Sequence, residues 1–183
     1  LIEAEAKQRG IKPDTDYSNS PSSKQLWDLL ADCERRVANQ KNPSLPKNDI
    51  AALIDDLQNV DARQDGQPGG VSLARDPRVE VLVKRGAEAV EPLLNAMEND
   101  TRLTRSVSFG RDFHRSRHLI SVSEAAYAAL VDFLRVGFKP SGEDGKPLSR
   151  KELAARVRDY WAKMGDLSPA ERFYAMLKDD KAG

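Results

Sequence analysis

At four places a serine is followed three residues later by glutamate or glutamine, each at the head of an apolar stripe of helical period. The pairs are Ser22 with Gln25, Ser121 with Glu124, Ser149 with Glu152, and Ser168 with Glu171. In a capping box each side chain satisfies a backbone N–H that the first helical turn leaves unpaired. Asp76 followed by Pro77, and Asn48 before Ile50, add two further starts. Stops are equally plain: Gly86, Gly137 and Gly165 each follow a stripe.

Between these marks the apolar residues recur at i, i+3, i+4 and i+7. The spacing predicts helices over 22–40, 49–60, 77–85, 87–99, 122–136, 150–164 and 169–178. Leu26, Leu29, Leu30, Cys33 and Val37 mark the first face, flanked by Trp27. Ala125, Ala126, Ala129, Leu130, Phe133 and Leu134 mark the face of 122–136, whose alanines let a neighbouring helix come close. Phe173, Met176 and Leu177 are expected to dock the last helix, with Tyr160, Trp161 and Tyr174 beside them. No segment alternates convincingly as a strand. The fold class is therefore all-α, about seven helices, with residues 1–21 a tail and 22–183 a single helical domain.

Composition removes several classes. Cys33 is the one cysteine of 183 residues, so neither an intramolecular disulfide nor a cysteine zinc site can form. On an apolar helical face it reads as core. Lys plus Arg equals Asp plus Glu at 29 each, so no global positive field draws the chain to nucleic acid. No apolar run approaches the roughly 20 residues a membrane span needs, and no membrane partner is expected. The chain begins Leu-Ile-Glu without Met, as a processed chain or part of a longer one would. No cofactor is implied.

Two stretches look alike about 40 residues apart, 48–86 and 87–137, each with two amphipathic helices. Gly86-Ala87-Glu88-Ala89-Val90-Glu91-Pro92-Leu93-Leu94, with its early proline, resembles the first helix of HEAT repeats. Val122-Ser123-Glu124-Ala125-Ala126-Tyr127-Ala128-Ala129-Leu130 is similar to their second, alanine-rich helix. The resemblance covers roughly half the chain, and 149–178 would add a C-terminal helix pair. It implies a stack of helix pairs, an α-α superhelix, with a surface that binds a protein partner. The long gaps 61–76 and 100–121 depart from the short turns of such repeats, and an irregular helical bundle is the alternative.

Residues 101–118 stand apart. Arg102, Arg105, Arg111, Arg115 and Arg117 face one acid, Asp112, and no lysine. His114 and His118 are the only histidines of the chain. Guanidinium groups suit bidentate contacts to carboxylate or phosphate. These seven residues are the candidate binding site, for an anionic ligand or a nucleic-acid backbone. The competing reading is structural, with the arginines paired to Glu88, Glu91, Glu98, Asp100 or the acidic run Asp55, Asp56, Asp61 and Asp65. The two histidines have metal-ligand spacing on a helix, but the arginines between them oppose a cation and no third ligand beyond Asp112 is evident. No nucleophile motif or phosphate loop accompanies them, so no catalytic residue is assigned and an interaction module is expected rather than an enzyme.

Overall fold

The computed structural model describes residues 21–39, 49–66, 69–110 and 117–178. The chain divides into two compact units, Leu1–Asn42 and Pro43–Gly183. The first contributes one described helix, α1 (Pro21–Asn39). Its apolar stripe is not core: Leu29, Leu30, Val37 and Cys33 are exposed, and Trp27 is 58% exposed. Spacing shows that a helix is amphipathic but not what covers it, and the expectation for Cys33 is corrected accordingly. The side chains of the expected capping pair Ser22–Gln25 lie outside what is described, as does the expected tail 1–21 except Pro21, which belongs to α1.

The second unit carries the fold. It runs α2 (Ile50–Asp56), α3 (Pro77–Arg85), α4 (Val90–Asn99), β1 (Leu103–Phe109), β2 (Arg117–Ser121), α5 (Val122–Leu134), α6 (Arg150–Met164) and α7 (Pro169–Lys178). Among the described residues helical structure dominates, with one two-stranded sheet. Short 3₁₀ turns extend α2 over Leu57–Asn59 and lead into α4 over Gly86–Ala89.

Local chemistry sets most boundaries. The Asp49 side chain caps α2, accepting from Ala51 N–H at 3.2 Å. Asp76 caps α3 with Pro77 at its first turn, and Gly86 ends it at φ 66°. Pro92 lies in the first turn of α4, where its missing N–H costs no helical bond. Three of the four expected boxes form, at α5, α6 and α7. One stop differs. Arg135, not Gly137, takes the left-handed turn after α5, with φ 59°.

The core is one cluster. Leu57, Val79, Leu82, Val90, Leu93, Leu94, Met97, Leu130 and Val157 are essentially sealed. α4 packs most extensively on α5, α3 also lies against α5, and α6 lies against α4. Ala125, Ala126 and Ala129 are fully buried where these helices meet, so their small size permits the approach. Arg158 on α6 faces Glu91 and Glu98 of α4 at 3.4 and 3.7 Å. No described helix is long and apolar enough to cross a membrane.

Candidate functional site

The arginine-rich segment is a β-hairpin, which corrects the reading that the sequence holds no strand. β1 and β2 run antiparallel, with Val107 opposite Leu119, Ser108 opposite His118 and Phe109 opposite Arg117. Between Leu103 and Val107 the register slips, because three residues of β1 face only Ile120 of β2. Such a bulge leaves backbone groups unpaired, and two hydroxyls take them up. Thr104 Oγ1 donates to the Ile120 carbonyl at 2.8 Å and accepts from Ser106 N–H at 3.1 Å. Ser106 Oγ accepts from Ala62 N–H at 2.8 Å and lies 3.3 Å from the Val60 carbonyl.

The outer edge of β1 is also covered. Arg105 N–H donates to the Val60 carbonyl at 2.8 Å. Further along, the Gln64 side chain exchanges two bonds with Phe109, accepting its N–H at 2.7 Å and donating to its carbonyl at 3.0 Å. A strand partner would make the same exchange, so segment 60–64 stands in for a third strand. Covering an edge in this way prevents unwanted pairing with other chains.

The seven candidate residues separate under this geometry. Arg102 is spent structurally. Its guanidinium bonds Asp100 through Nε at 3.0 Å and through Nη2 at 2.7 Å, and it also bonds Asp55 on α2. Burial works against its charge, but the bonds to the two aspartates outweigh that and raise its pKa. The clasp ties α2, the end of α4 and the start of β1 together. Arg105 is exposed and forms no ion pair among the described residues. Arg117 sits opposite Phe109 in β2. Arg111, His114 and Arg115 lie in the connection between the strands, outside the described residues.

His118 Nε2 lies 2.6 Å from Glu124 Oε1. The Glu124 Oε2 accepts from Ser121 N–H and Ser121 Oγ, each at 2.8 Å, as the box of α5. One carboxylate thus caps α5 and anchors β2. The bond to Glu124 raises the His118 pKa against partial burial. Burial pushes the Glu124 carboxyl up, but the His118 and Ser121 bonds outweigh it and hold it below its ordinary value. Among the described residues no group of three metal-ligating side chains comes together.

Sequence reasoning missed a second feature, at the C-terminal helix. Phe173, Tyr174 and Leu177 are 59%, 64% and 63% exposed, whereas Arg172 is 7% exposed. The expectation that Phe173 and Leu177 dock α7 is corrected: Arg172 does. It donates to the carbonyls of Met164 and Gly165 at 2.9 and 3.1 Å. Its guanidinium lies 5.1 Å from the Trp161 ring centre and 5.8 Å from that of Phe133. Trp161 and Phe133 touch each other at 5.8 Å, and Tyr160 meets Phe138 edge-on at 5.4 Å. A cation over two rings that also caps two carbonyls can replace an apolar anchor. The sequence signal was Arg172 itself, four residues before Met176 on the side facing α6.

Two open grooves adjoin these elements. One of about 510 Å³ lies between Val71–Arg75 and α5, with Arg75, Asp132 and Arg135 at its wall. Another of about 360 Å³ runs between Ile54, Asn95, Asn99 and Arg102. Neither contains His118 or Arg105. No family model, curated protein or solved structure matches the chain.

Proposed function

We propose that this chain is a non-enzymatic, HEAT-like helical-repeat module that binds another protein. The observation that carries the reading is α7, which spends a buried arginine on docking and leaves Phe173, Tyr174 and Leu177 exposed. A contiguous exposed apolar stripe marks an interaction site more often than an accident of composition. Tyrosine, as at Tyr174, is enriched among the few residues that dominate binding energy at protein interfaces. The packing of α2 on α3 and of α4 on α5 is compatible with two stacked helix pairs. That His118 faces a helix-capping glutamate supports a structural role for it rather than a catalytic one.

The test is affinity capture of a partner by the full chain, with Phe173→Ser/Leu177→Ser as comparison. The reading requires a partner retained by the native chain and lost by the double variant at unchanged melting temperature. A partner held equally by both would defeat it.

A second reading rests on Arg105. It is exposed and without an ion pair among the described residues, on a hairpin whose backbone is pinned at Val60, Ala62 and Gln64. That arrangement favours an anionic ligand, phosphate or a nucleic-acid backbone. Binding of inorganic phosphate or a short oligonucleotide would weaken steeply with salt and would fall on Arg105→Gln.

A further inference from the structure

We propose that the outer edge of β2 takes up an extended, acidic segment of another protein as an added strand. This surface is separate from α7, and its role does not depend on that of α7.

The bonds made by β1 fix the direction of every backbone group along the hairpin. Arg105 N–H reaches Val60, and both backbone groups of Phe109 reach Gln64, so these residues point away from β2. In an antiparallel ladder, opposed residues that do not bond each other both point outward, and they alternate with pairs that do. Phe109 lies opposite Arg117 and Val107 opposite Leu119, so Leu119 turns its N–H and C=O away from β1. Ile120 fits the alternation, because its carbonyl faces β1 and accepts from Thr104. At Ser121 the outward N–H is taken by Glu124 Oε2 at 2.8 Å. The outward N–H and C=O of Leu119 meet no partner among the described residues. The two edges of the hairpin therefore differ. That of β1 is closed by Val60 and Gln64, whereas that of β2 is capped at Ser121 and open at Leu119. A donor and an acceptor set side by side on a strand edge are a template for another extended backbone.

Charge selects the occupant. Neither Leu103–Phe109 nor Arg117–Ser121 contains an acid. Arg105 is exposed and has no ion pair among the described residues. It shares a face with Val107 and Leu119, which are half-buried, opposite the face of the buried Thr104 and Ser106. Arg117 holds a register position on the same face as Leu119, two residues away. A strand added antiparallel to β2 sets one residue opposite Leu119, and the residue two further on opposite Arg117. An apolar side chain suits the first position and a carboxylate the second. A second copy of this chain is a poor occupant, since pairing edge to edge would bring together two basic hairpins without an acid in their strands. The edge is short, so binding is weak unless the partner also makes contacts elsewhere.

The test uses the full chain and a capped, fluorescently labelled peptide that repeats Val-Thr-Glu-Thr, so that valine and glutamate share one face of the strand. Anisotropy measures binding, and hydrogen exchange reads the Leu119 amide. The expected result is saturable binding, with exchange at Leu119 slowed roughly tenfold or more at saturation. The same peptide N-methylated at valine and glutamate keeps its charge but cannot pair with the edge, and should bind roughly tenfold more weakly or worse. A version with lysine in place of glutamate should bind more weakly still. Arg105→Gln should weaken the native peptide by roughly threefold at an unchanged melting temperature. No binding of the glutamate peptide overturns the proposal, as does an unchanged exchange rate at Leu119 in the complex. Equal binding of the N-methylated form also overturns it, and would leave Arg105 as an anion site without strand pairing.

Discussion

Helices α5 and α7 open in the same way and are used in opposite senses. Each begins with a serine whose hydroxyl meets the N–H of a glutamate three residues on. Each carries a stripe of apolar residues. In α5 the stripe is core: Ala125, Ala126, Ala129 and Leu130 are fully sealed. In α7 the stripe faces solvent and an arginine faces in. A capping box fixes where a helix starts, because it satisfies local backbone groups. It carries no information about which side is buried. That is decided by what lies opposite: α5 meets α3 and α4, while Arg172 meets two open carbonyls and two rings.

The largest effect should come from the sealed face. Leu130→Ala should cost about 2–5 kcal/mol, since the cavity cannot collapse among fully buried neighbours. Leu177→Ala on α7 should stay within about 0.5 kcal/mol. Urea denaturation of the two variants measures the contrast, and equal losses would erase it. Next is Arg172→Met, which removes the donor from the Met164 and Gly165 carbonyls. A loss of about 1–3 kcal/mol is expected, with early exchange of α7 amides in hydrogen-exchange experiments. An unchanged exchange pattern would mean that the outward stripe, not the arginine, holds the helix.

The caps give a smaller, graded effect. Ser121→Ala should cost about 1 kcal/mol or more, because Ser121 is buried and also orients Glu124. Ser168→Ala, at the exposed start of α7, should cost less, and thermal melts rank the two. The smallest effect is that of pH at the His118–Glu124 pair. The folded state raises the His118 pKa, so its contribution is present below the ordinary value of 6.5 and disappears as pH rises through the folded value. Glu124 is lowered, so its contribution is present above its ordinary 4.5 and disappears as pH falls through the folded value. The pair therefore stabilises most between about 4.5 and 6.5. His118→Gln should remove the decline in melting temperature on the alkaline side of that window. A decline that persists in the variant would assign it to other groups.

Helix positions were legible because caps, prolines and glycines act through neighbouring backbone groups. The hairpin was not. Leu103, Val107 and Phe109 alternate with Thr104, Ser106 and Ser108, yet the residues buried are Thr104 and Ser106. Hydroxyls inside and apolar side chains partly outside reverse the usual pattern. They are buried because segment 60–62 and Ile120 present backbone groups that need partners. Gln64 acting as a strand is invisible for the same reason, since its partner Phe109 lies 45 residues away. Of the candidate site, the pairing of Arg102 with Asp100 and Asp55 was among the anticipated acid contacts. The role of Glu124 in holding His118 as well as α5 was not.

The claim on which the functional reading turns is that α7 wears its apolar stripe outward. Thiol labelling tests it directly, in a Cys33→Ser background with single cysteines at Phe173, Leu177 or Leu130. The account predicts that cysteines at 173 and 177 react with a maleimide about as fast as in the unfolded chain, while a cysteine at 130 is strongly protected. Protection at 173 and 177 matching that at 130 would mean the stripe is core after all, and the partner-binding role would fall with it.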